Sequence, residues 1–493
     1  MTIDDWSVFC KYNHRVRSIE ILSPGHSINA DFWVILGCPP FSLPLLPNLT
    51  SLSWNLDSRT FSYIRLFVTK GLMTLNISAS RAISSPRRPY VQSILSCIPP
   101  LCPSLSHIHV QGLSSNMYIA LQPWSHLSSA TIDDIPDAVI LHLANLPSLR
   151  MLRLGLRRTP IAVETQRLLR HPAFSALQEL SVESYCLAPL DVFFKSLSIT
   201  PKILSFTITV NMDSLRTRIP VSMTHICNAC SHSVLEHLHV RVTSTDDDDD
   251  DDDDDGDDDD DFSILTNAAA FQPLYAFNNL RKLDILTNYD VQLDDITLFQ
   301  MAKAWPLLEE FAIIGGHHQS TRITANALAV LLQHCPHLNM VSVEVDWSAV
   351  DKPDVSPDIP YQGPPHNNLS YANFAFSRIR HTAGVAAFLS TIAPKLEYVF
   401  AWDHTRWTEV NRLVKTFSSI RDRDGRMMAD AGRVAGSDVR VSAEDDPEDD
   451  PGMERGRWMI RDMHIMDHLS ASYQPYYEWL HYGGRKTGAL LSI

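Results

Sequence analysis

The stretch LPSLRMLRLGL (146–156) sets three leucines, Leu149, Leu152 and Leu154, in the spacing apolar-x-x-apolar-x-apolar. The same spacing returns in PNLTSLSWNL (47–56), SALQELSVES (175–184), FNNLRKLDILT (277–287) and CPHLNMVSVEVD (335–346), mostly entered by Pro, Asn or Ser. Its first apolar residue recurs at Val16, Leu49, Leu72, Leu105, Leu127, Leu149, Leu177, Ile203, Leu235, Leu280, Leu308, Leu338 and Leu396. Most of the intervals between these thirteen copies run from 22 to 33 residues. Self-similarity at a period of this size marks a repeat architecture. The interval from Leu235 to Leu280 is lengthened by an aspartate tract, and that from Leu338 to Leu396 holds a Pro-rich stretch near Pro353–Pro365, read as a loop.

The end of each copy alternates as a strand does. Leu152 and Leu154 point one way, and Met151, Arg153 and Gly155 the other. Between copies the period becomes helical, as in 161–174, 294–305 and ANALAVLLQHC (325–335), where Leu328, Leu331 and Leu332 share a face. One strand and one helix cannot bury their apolar faces alone. Stacked copies can, with a parallel sheet along the inner curve.

This pattern resembles the leucine-rich repeat family in its longer, helix-containing form, over residues 16–402. The resemblance implies an α/β solenoid, a horseshoe of about 13 irregular strand–helix repeats with a parallel concave sheet. The asparagine that ends the family motif fits at Asn211 and Asn288, whereas Asp57, Arg157 or Asp346 stands there in other copies. The opening segment DWSVFCKYNHRVRSIEIL (5–22), with Trp6, Phe9, Tyr12 and Arg15-Val16-Arg17, resembles the stretch that begins the repeat region in fungal, basidiomycete-type F-box proteins. In that family an F-box docks to the cullin ubiquitin-ligase scaffold while the repeats capture a substrate. The expected helical F-box is missing, since only about fifteen residues precede the repeats. The resemblance therefore implies substrate capture by a protein-binding surface, without binding to the cullin linker. The alternative is a recognition scaffold with no ubiquitin-ligase contact.

Composition bounds the remaining classes. The net charge is −16, but the fifteen aspartates of Asp246–Asp255 and Asp257–Asp261 account for all but one unit of it. The rest is near neutral, which gives no reason to expect nucleic acid or an anionic membrane as partner. Eight cysteines in 493 residues do not make a disulfide scaffold. The start of the chain carries Asp4 and Asp5 rather than a basic-then-apolar signal. The apolar stretch 32–49 is broken by four prolines. The expectation is a cytoplasmic or nuclear protein whose sequons at Asn48, Asn76 and Asn368 carry no sugar.

Catalytic signatures are scarce. Neither phosphate-loop pattern occurs, and in GGRKTG (483–488) Arg485 stands where the loop needs glycine. HExxH and GxSxG are absent too. Cys227 and Cys230 form a CxxC, read as helix packing rather than redox or metal chemistry. His464, Asp467 and His468 spell HxxDH; without the glutamate base or a third ligand, a metal-dependent hydrolase built there is the less favoured alternative. No cofactor or metal is expected, and no enzymatic activity.

The candidate binding residues sit instead at outward strand positions. His107, His109, Arg153, His237, His239 and Arg241 alternate with strand apolars, on a face otherwise lined by small polar residues such as Ser51, Ser53, Asn55, Thr74, Asn76, Ser205 and Thr207. At LEYVFAW (396–402), Leu396, Val399 and Ala401 take the inward positions, which lines up Tyr398, Phe400 and Trp402 outward. Aromatics so placed suit a partner hot spot or a cap interface. Residues 246–261 are expected as a disordered acidic insertion, either a tolerated low-complexity expansion or an element that would attract a basic partner. Residues 1–15 read as a leading segment. Residues 403–493 read as a helix, an acidic linker from about Asp422, and a possible aromatic-rich cap from 457.

Overall fold

The computed structural model describes residues 2–21, 30–56, 61–79, 88–112, 118–133, 135–156, 161–170, 173–210, 215–244, 266–287, 291–315, 322–352, 363–402 and 404–435. The chain divides into two compact units, Met1–Gly425 and Arg426–Ile493. The described part of the second is the C-terminal stretch of one helix, and the fold below is that of the first.

Sixteen strands are described: β1 (Ser18–Ile21), β2 (Ser51–Leu56), β3 (Thr74–Ala79), β4 (His107–Gln111), β5 (Ser129–Ile132), β6 (Met151–Leu156), β7 (Glu179–Ser184), β8 (Ile203–Val210), β9 (His237–Ser244), β10 (Thr266–Asn267), β11 (Lys282–Thr287), β12 (Val291–Gln292), β13 (Glu310–Ile314), β14 (Met340–Val343), β15 (Tyr371–Asn373) and β16 (Tyr398–Phe400). Fourteen of them form one open, all-parallel sheet in which spatial order follows chain order; β10 and β12 pair separately. Parallel neighbours cannot be joined by a tight hairpin, so each connection must cross over. Helices occupy many of these crossovers: α1 (Ile3–Tyr12) leads, followed by α2 (Ala30–Leu36), α3 (Arg88–Cys97), α4 (Asp137–Ala144), α5 (Val163–Leu169), α6 (Leu187–Lys195), α7 (Leu215–Ala229), α8 (Asp295–Ala304), α9 (Ala325–His334), α10 (Thr382–Ile392) and α11 (His404–Ala435).

The register is uniform. Leu52, Leu75, Ile108, Ala130, Leu152 and Leu180 lie side by side across β2–β7. The row continues through Leu204, Leu238, Leu283, Phe311, Val341, Ala372 and Val399. All are buried, in one hydrophobic cluster with helix residues such as Leu95, Leu143, Leu190, Met301, Leu331 and Leu389. A second periodicity runs through the backbone just before the strands. The Arg17 carbonyl accepts the N–H groups of Thr50 and Ser51, and the Thr50 carbonyl those of Met73 and Thr74. The same doubled acceptance repeats from copy to copy until the Ser370 carbonyl takes Glu397 and Tyr398. Entry turns would otherwise bury unpaired groups, and this ladder satisfies them.

Side chains tie the copies at two further levels. Asn48, Asn279 and Asn368, each one residue before a first leucine, donate Nδ2 to the carbonyls of His14, Ser233 and Pro336 in the preceding copy, at 2.7–2.8 Å. At helix starts the Asp137 carboxylate accepts the Ala162 N–H, Asp295 accepts the Thr324 N–H and hydroxyl, and Asp351 accepts the N–H groups of Arg380 and His381. Orphan donors at one helix N-terminus are thus met by the previous copy.

Both ends of the array are covered by helices. Thr2 and Asp5 make a capping box on α1, whose buried Trp6 packs on Phe41 at 5.4 Å. At the other end α11 buries Trp407, Val410 and Val414, and Asn411 Oδ1 accepts the Val399 N–H of the last strand at 3.3 Å. Stacked repeats need such caps because a terminal copy has one unpartnered face.

The structure corrects the sequence reading in three places. The copy at Ile203 is displaced by two residues: Leu204 pairs with Leu180 and is buried, so Pro201 holds the first position and Ile203 points outward. The interval from Leu338 to Leu396 contains a further strand, β15, entered by buried Leu369. Helix α11 continues to Ala435, past the expected linker start at Asp422. The aspartate tract, Asn211, Asn288, HxxDH and the segment 457–493 lie outside the described residues. Among the described residues no helix is long and apolar enough to cross a membrane.

Candidate interaction face of the sheet

Opposite the helices, the strands present three rows of outward positions. The first runs Ser18, Ser51, Thr74, His107, Ser129, Met151, Glu179, Ile203, His237, Lys282, Glu310, Met340, Tyr371, Tyr398. The second runs Glu20, Ser53, Asn76, His109, Thr131, Arg153, Ser181, Ser205, His239, Asp284, Ala312, Ser342, Asn373, Phe400. In the third, Gly155, Glu183, Thr207, Arg241, Leu286 and Ile314 are consecutive.

Of the nine residues singled out in the sequence, eight fall in these rows and Trp402 follows the last strand, and together they make three separate groups. His107 and His109 on β4 stand two strands from Arg153 on β6. His237, His239 and Arg241 share β9, five strands from β4, or about 24 Å at the usual strand spacing. Tyr398, Phe400 and Trp402 lie as far again, on and just after β16. One compact ligand cannot touch all three groups.

Their environments differ. His107 and Arg153 are exposed and His109 is half-buried. Ser106 Oγ lies 2.8 Å from His107 Nδ1, and Arg153 Nε donates to Ser181 Oγ at 3.3 Å. On β9 one side chain, His239, is met from the neighbouring strand. His239 Nδ1 is 2.8 Å from Asp284 Oδ2, and Lys282 pairs with Glu310 beside it. Burial, then the nearby Lys282 charge, holds the His237 pKa below its usual value. One row back, Lys202 pairs with Glu236 and Arg281 with Glu309. Sequence reasoning missed Lys202, Glu236, Arg281, Lys282, Asp284, Glu309 and Glu310. Aligning the copies on their first leucine would have found all but Lys202: Glu236, Arg281 and Glu309 follow it by one residue, Lys282 and Glu310 by two, and Asp284 by four.

The third group is partly occupied by the chain itself. Tyr398 and Phe400 are half-buried, and Trp402 is 43% exposed. Lys415 of α11 lies over the Tyr398 ring at 5.0 Å, and Phe376 packs on Trp402 at 5.7 Å. Between the second and third groups several outward positions are buried: Leu286, Ala312, Ile314, Met340 and Ser342 are each at most 6% exposed. These residues are outside the main core cluster, so β13 and β14 are buried on both faces.

Other chemical candidates weaken on inspection. Cys227 is the third-last residue of α7 and Cys230 follows that helix directly, both buried. Burial raises the thiol pKa of Cys227, and burial reinforced by Cys227 pushes that of Cys230 to about 12. A reactive thiol needs the opposite shift. Among the described residues no three His, Cys, Asp or Glu side chains are placed to hold a metal ion.

No protein-family model matches the chain. No curated protein matches it either. Among solved structures, a chain of the crystal structure of the yeast Rad7 and Elc1 complex is similar, with 14% identity and a TM-score of 0.33 over 70% of this chain and 78% of that one. The strand order and register stand independently of this likeness.

Proposed function

We propose that this chain is a leucine-rich repeat recognition protein, without catalytic activity of its own, whose sheet face holds a protein partner. The observation that carries the proposal is the outward face of β1–β9. Nine adjacent strands present mostly small or polar side chains, Met151 and Ile203 excepted, on a backbone fixed by the carbonyl ladder beneath. Sites built on rigid elements hold their geometry better than sites on loops. Ser51, Ser53, Asn55, Thr74, Asn76 and Ser78 leave a low lane, against which the side chains of β4 and β6 stand up.

The test is mutational. Ser53→Arg with Asn76→Arg fills the lane with two long side chains while sparing the core. The bond from Asn76 Nδ2 to Ser53 Oγ is the one contact among described residues that it removes there. A co-purifying protein should be lost from this variant with the melting temperature nearly unchanged. Its full retention refutes the proposal.

The finer form, substrate capture for a cullin ubiquitin ligase, rests on the resemblance of residues 5–22 to the segment that opens the repeats of F-box proteins. It predicts that the captured protein lives longer in cells lacking this chain. An unchanged lifetime makes the chain a recognition scaffold instead. Either role places it in the cytoplasm or nucleus.

A further inference from the structure

We propose that the first strand of the sheet is a dimerisation edge: β1 pairs antiparallel with β1 of a second copy of this chain, about a two-fold axis through Ile19.

The two ends of the sheet are finished differently. At the last strand, Asn411 of α11 accepts the Val399 N–H, which points away from β15, and Leu396, Val399 and Ala401 are buried. At the first, the matching positions Val16, Ile19 and Ile21 are only half-buried, although their neighbours in the next copy, Leu49, Leu52 and Trp54, are fully so. Trp6 is the one buried residue of α1, so that helix covers its end of the array in part. Ile3, Val8 and Tyr12 on α1 and Phe32, Val34 and Ile35 on α2 stay exposed. This is apolar surface of the kind a stable interface removes from water.

The backbone of β1 decides what fits there. The Arg17 carbonyl takes the Ser51 N–H, so in a parallel ladder the backbone groups of Ile19 and Ile21 also face β2. Those of Ser18 and Glu20 therefore point to the open edge. Both residues are exposed, and among the described residues no hydrogen bond meets that edge. An antiparallel partner centred on Ile19 sets Ser18 opposite Glu20 of the second copy, and Glu20 opposite its Ser18. Each of these pairs exchanges two N–H···O bonds, while Ile19 meets Ile19 on the core side. Moving the axis to Glu20 would set two carboxylates face to face, which disfavours that register. A head-to-tail contact, which would grow into a filament, needs the edge of β16, and Asn411 already closes that one. The contact that remains is a closed pair of two copies.

The experiment is sedimentation equilibrium of the full chain over a micromolar concentration range. A species of twice the 55.5 kDa chain mass is expected. Ser18→Glu places two like-charge pairs across the axis and should weaken the dimer about tenfold at low salt, the scale of two cross-strand pairs reversed in sign. Adding Glu20→Lys turns both into opposite-charge pairs and should restore the dimer. Both side chains are exposed, so melting curves of the variants should match at concentrations where the chain is monomeric. A monomer throughout, a ladder of higher oligomers, or a dimer indifferent to Ser18→Glu overturns the inference. Loss without rescue refutes the register centred on Ile19. A monomer that crosslinks its co-purifying protein through a photo-reactive residue at position 18 carries another strand on this edge, which refutes the second copy as its occupant.

Discussion

Trp407→Ala tests whether α11 closes the array. The indole is 1% exposed and sits between Trp347, at 5.7 Å, and Phe374, at 5.2 Å, while its Nε1 donates to the Ser377 carbonyl at 3.1 Å. Truncating a buried Trp costs about 3–5 kcal/mol. Aromatic pairs add about 0.5–1.5 kcal/mol beyond area burial, and a buried carbonyl left unpaired about 1 kcal/mol or more. Some of these terms overlap, so about 4 kcal/mol is a reasonable total. In a stacked array the loss falls on the copies that touch the residue, not on the whole chain. Amide exchange in β15 and β16 should therefore accelerate by about three orders of magnitude, since every 1.4 kcal/mol is a factor of ten. Exchange in β2–β4 should be unchanged. Acceleration below tenfold at β15–β16, or an equal change at β2–β4, would show that α11 does not act as a local cap.

Three further outcomes follow from other parts of the fold. Deleting 246–261 should leave the melting temperature nearly unchanged, because β9 pairs with β11 directly across the insertion, and halving a long loop changes closure cost by about 0.6 kcal/mol. The Asp294 side chain caps α8 by accepting the Thr297 hydroxyl at 2.6 Å and N–H at 2.8 Å, which holds its pKa below the usual value. A depressed folded-state pKa stabilises above the unfolded value of about 3.9 and loses that contribution as pH falls through the folded value. The stability gap between the wild type and Asp294→Ala should thus be about 1 kcal/mol at pH 7 and shrink below pH 4, and a gap constant down to pH 2 would refute the assignment. In native protein, a thiol reagent should modify Cys10, Cys38 and Cys97 quickly, while Cys102, Cys230 and Cys335, buried with thiol pKa values near 12, react only after unfolding.

The strand–helix alternation and the outward placement of His107, His109, Arg153 and the β9 residues were legible from a period of two set inside a longer repeat. What escaped has physical reasons. Around TPKILSFTITV (200–210) the spacing fits both Pro201-Leu204-Phe206 and Ile203-Phe206-Ile208, and only pairing with β7 decides between them. Strand β15 was hidden because its central apolar position is Ala372, too small to register in the pattern, although Leu369 and Phe374 are in place. Alternation fails at EFAII and MVSV because both faces of those strands are buried, and strands so placed read as continuous apolar runs. The division into three groups was available from the copy count, but the charge pairing between β9 and β13 needed the register. Tyr398 and Phe400 of LEYVFAW take outward strand positions, yet Lys415, which covers Tyr398, comes from the following helix and no local spacing announces it.

The central claim is that a protein partner sits on the sheet and not on the helices. A photo-reactive residue at position 109, on the face, and another at position 296, where Ile296 is 68% exposed on α8, address it most directly. Irradiated with the co-purifying protein, the chain should form an adduct through position 109 and none through position 296. Adduct formation through 296 alone would contradict the account.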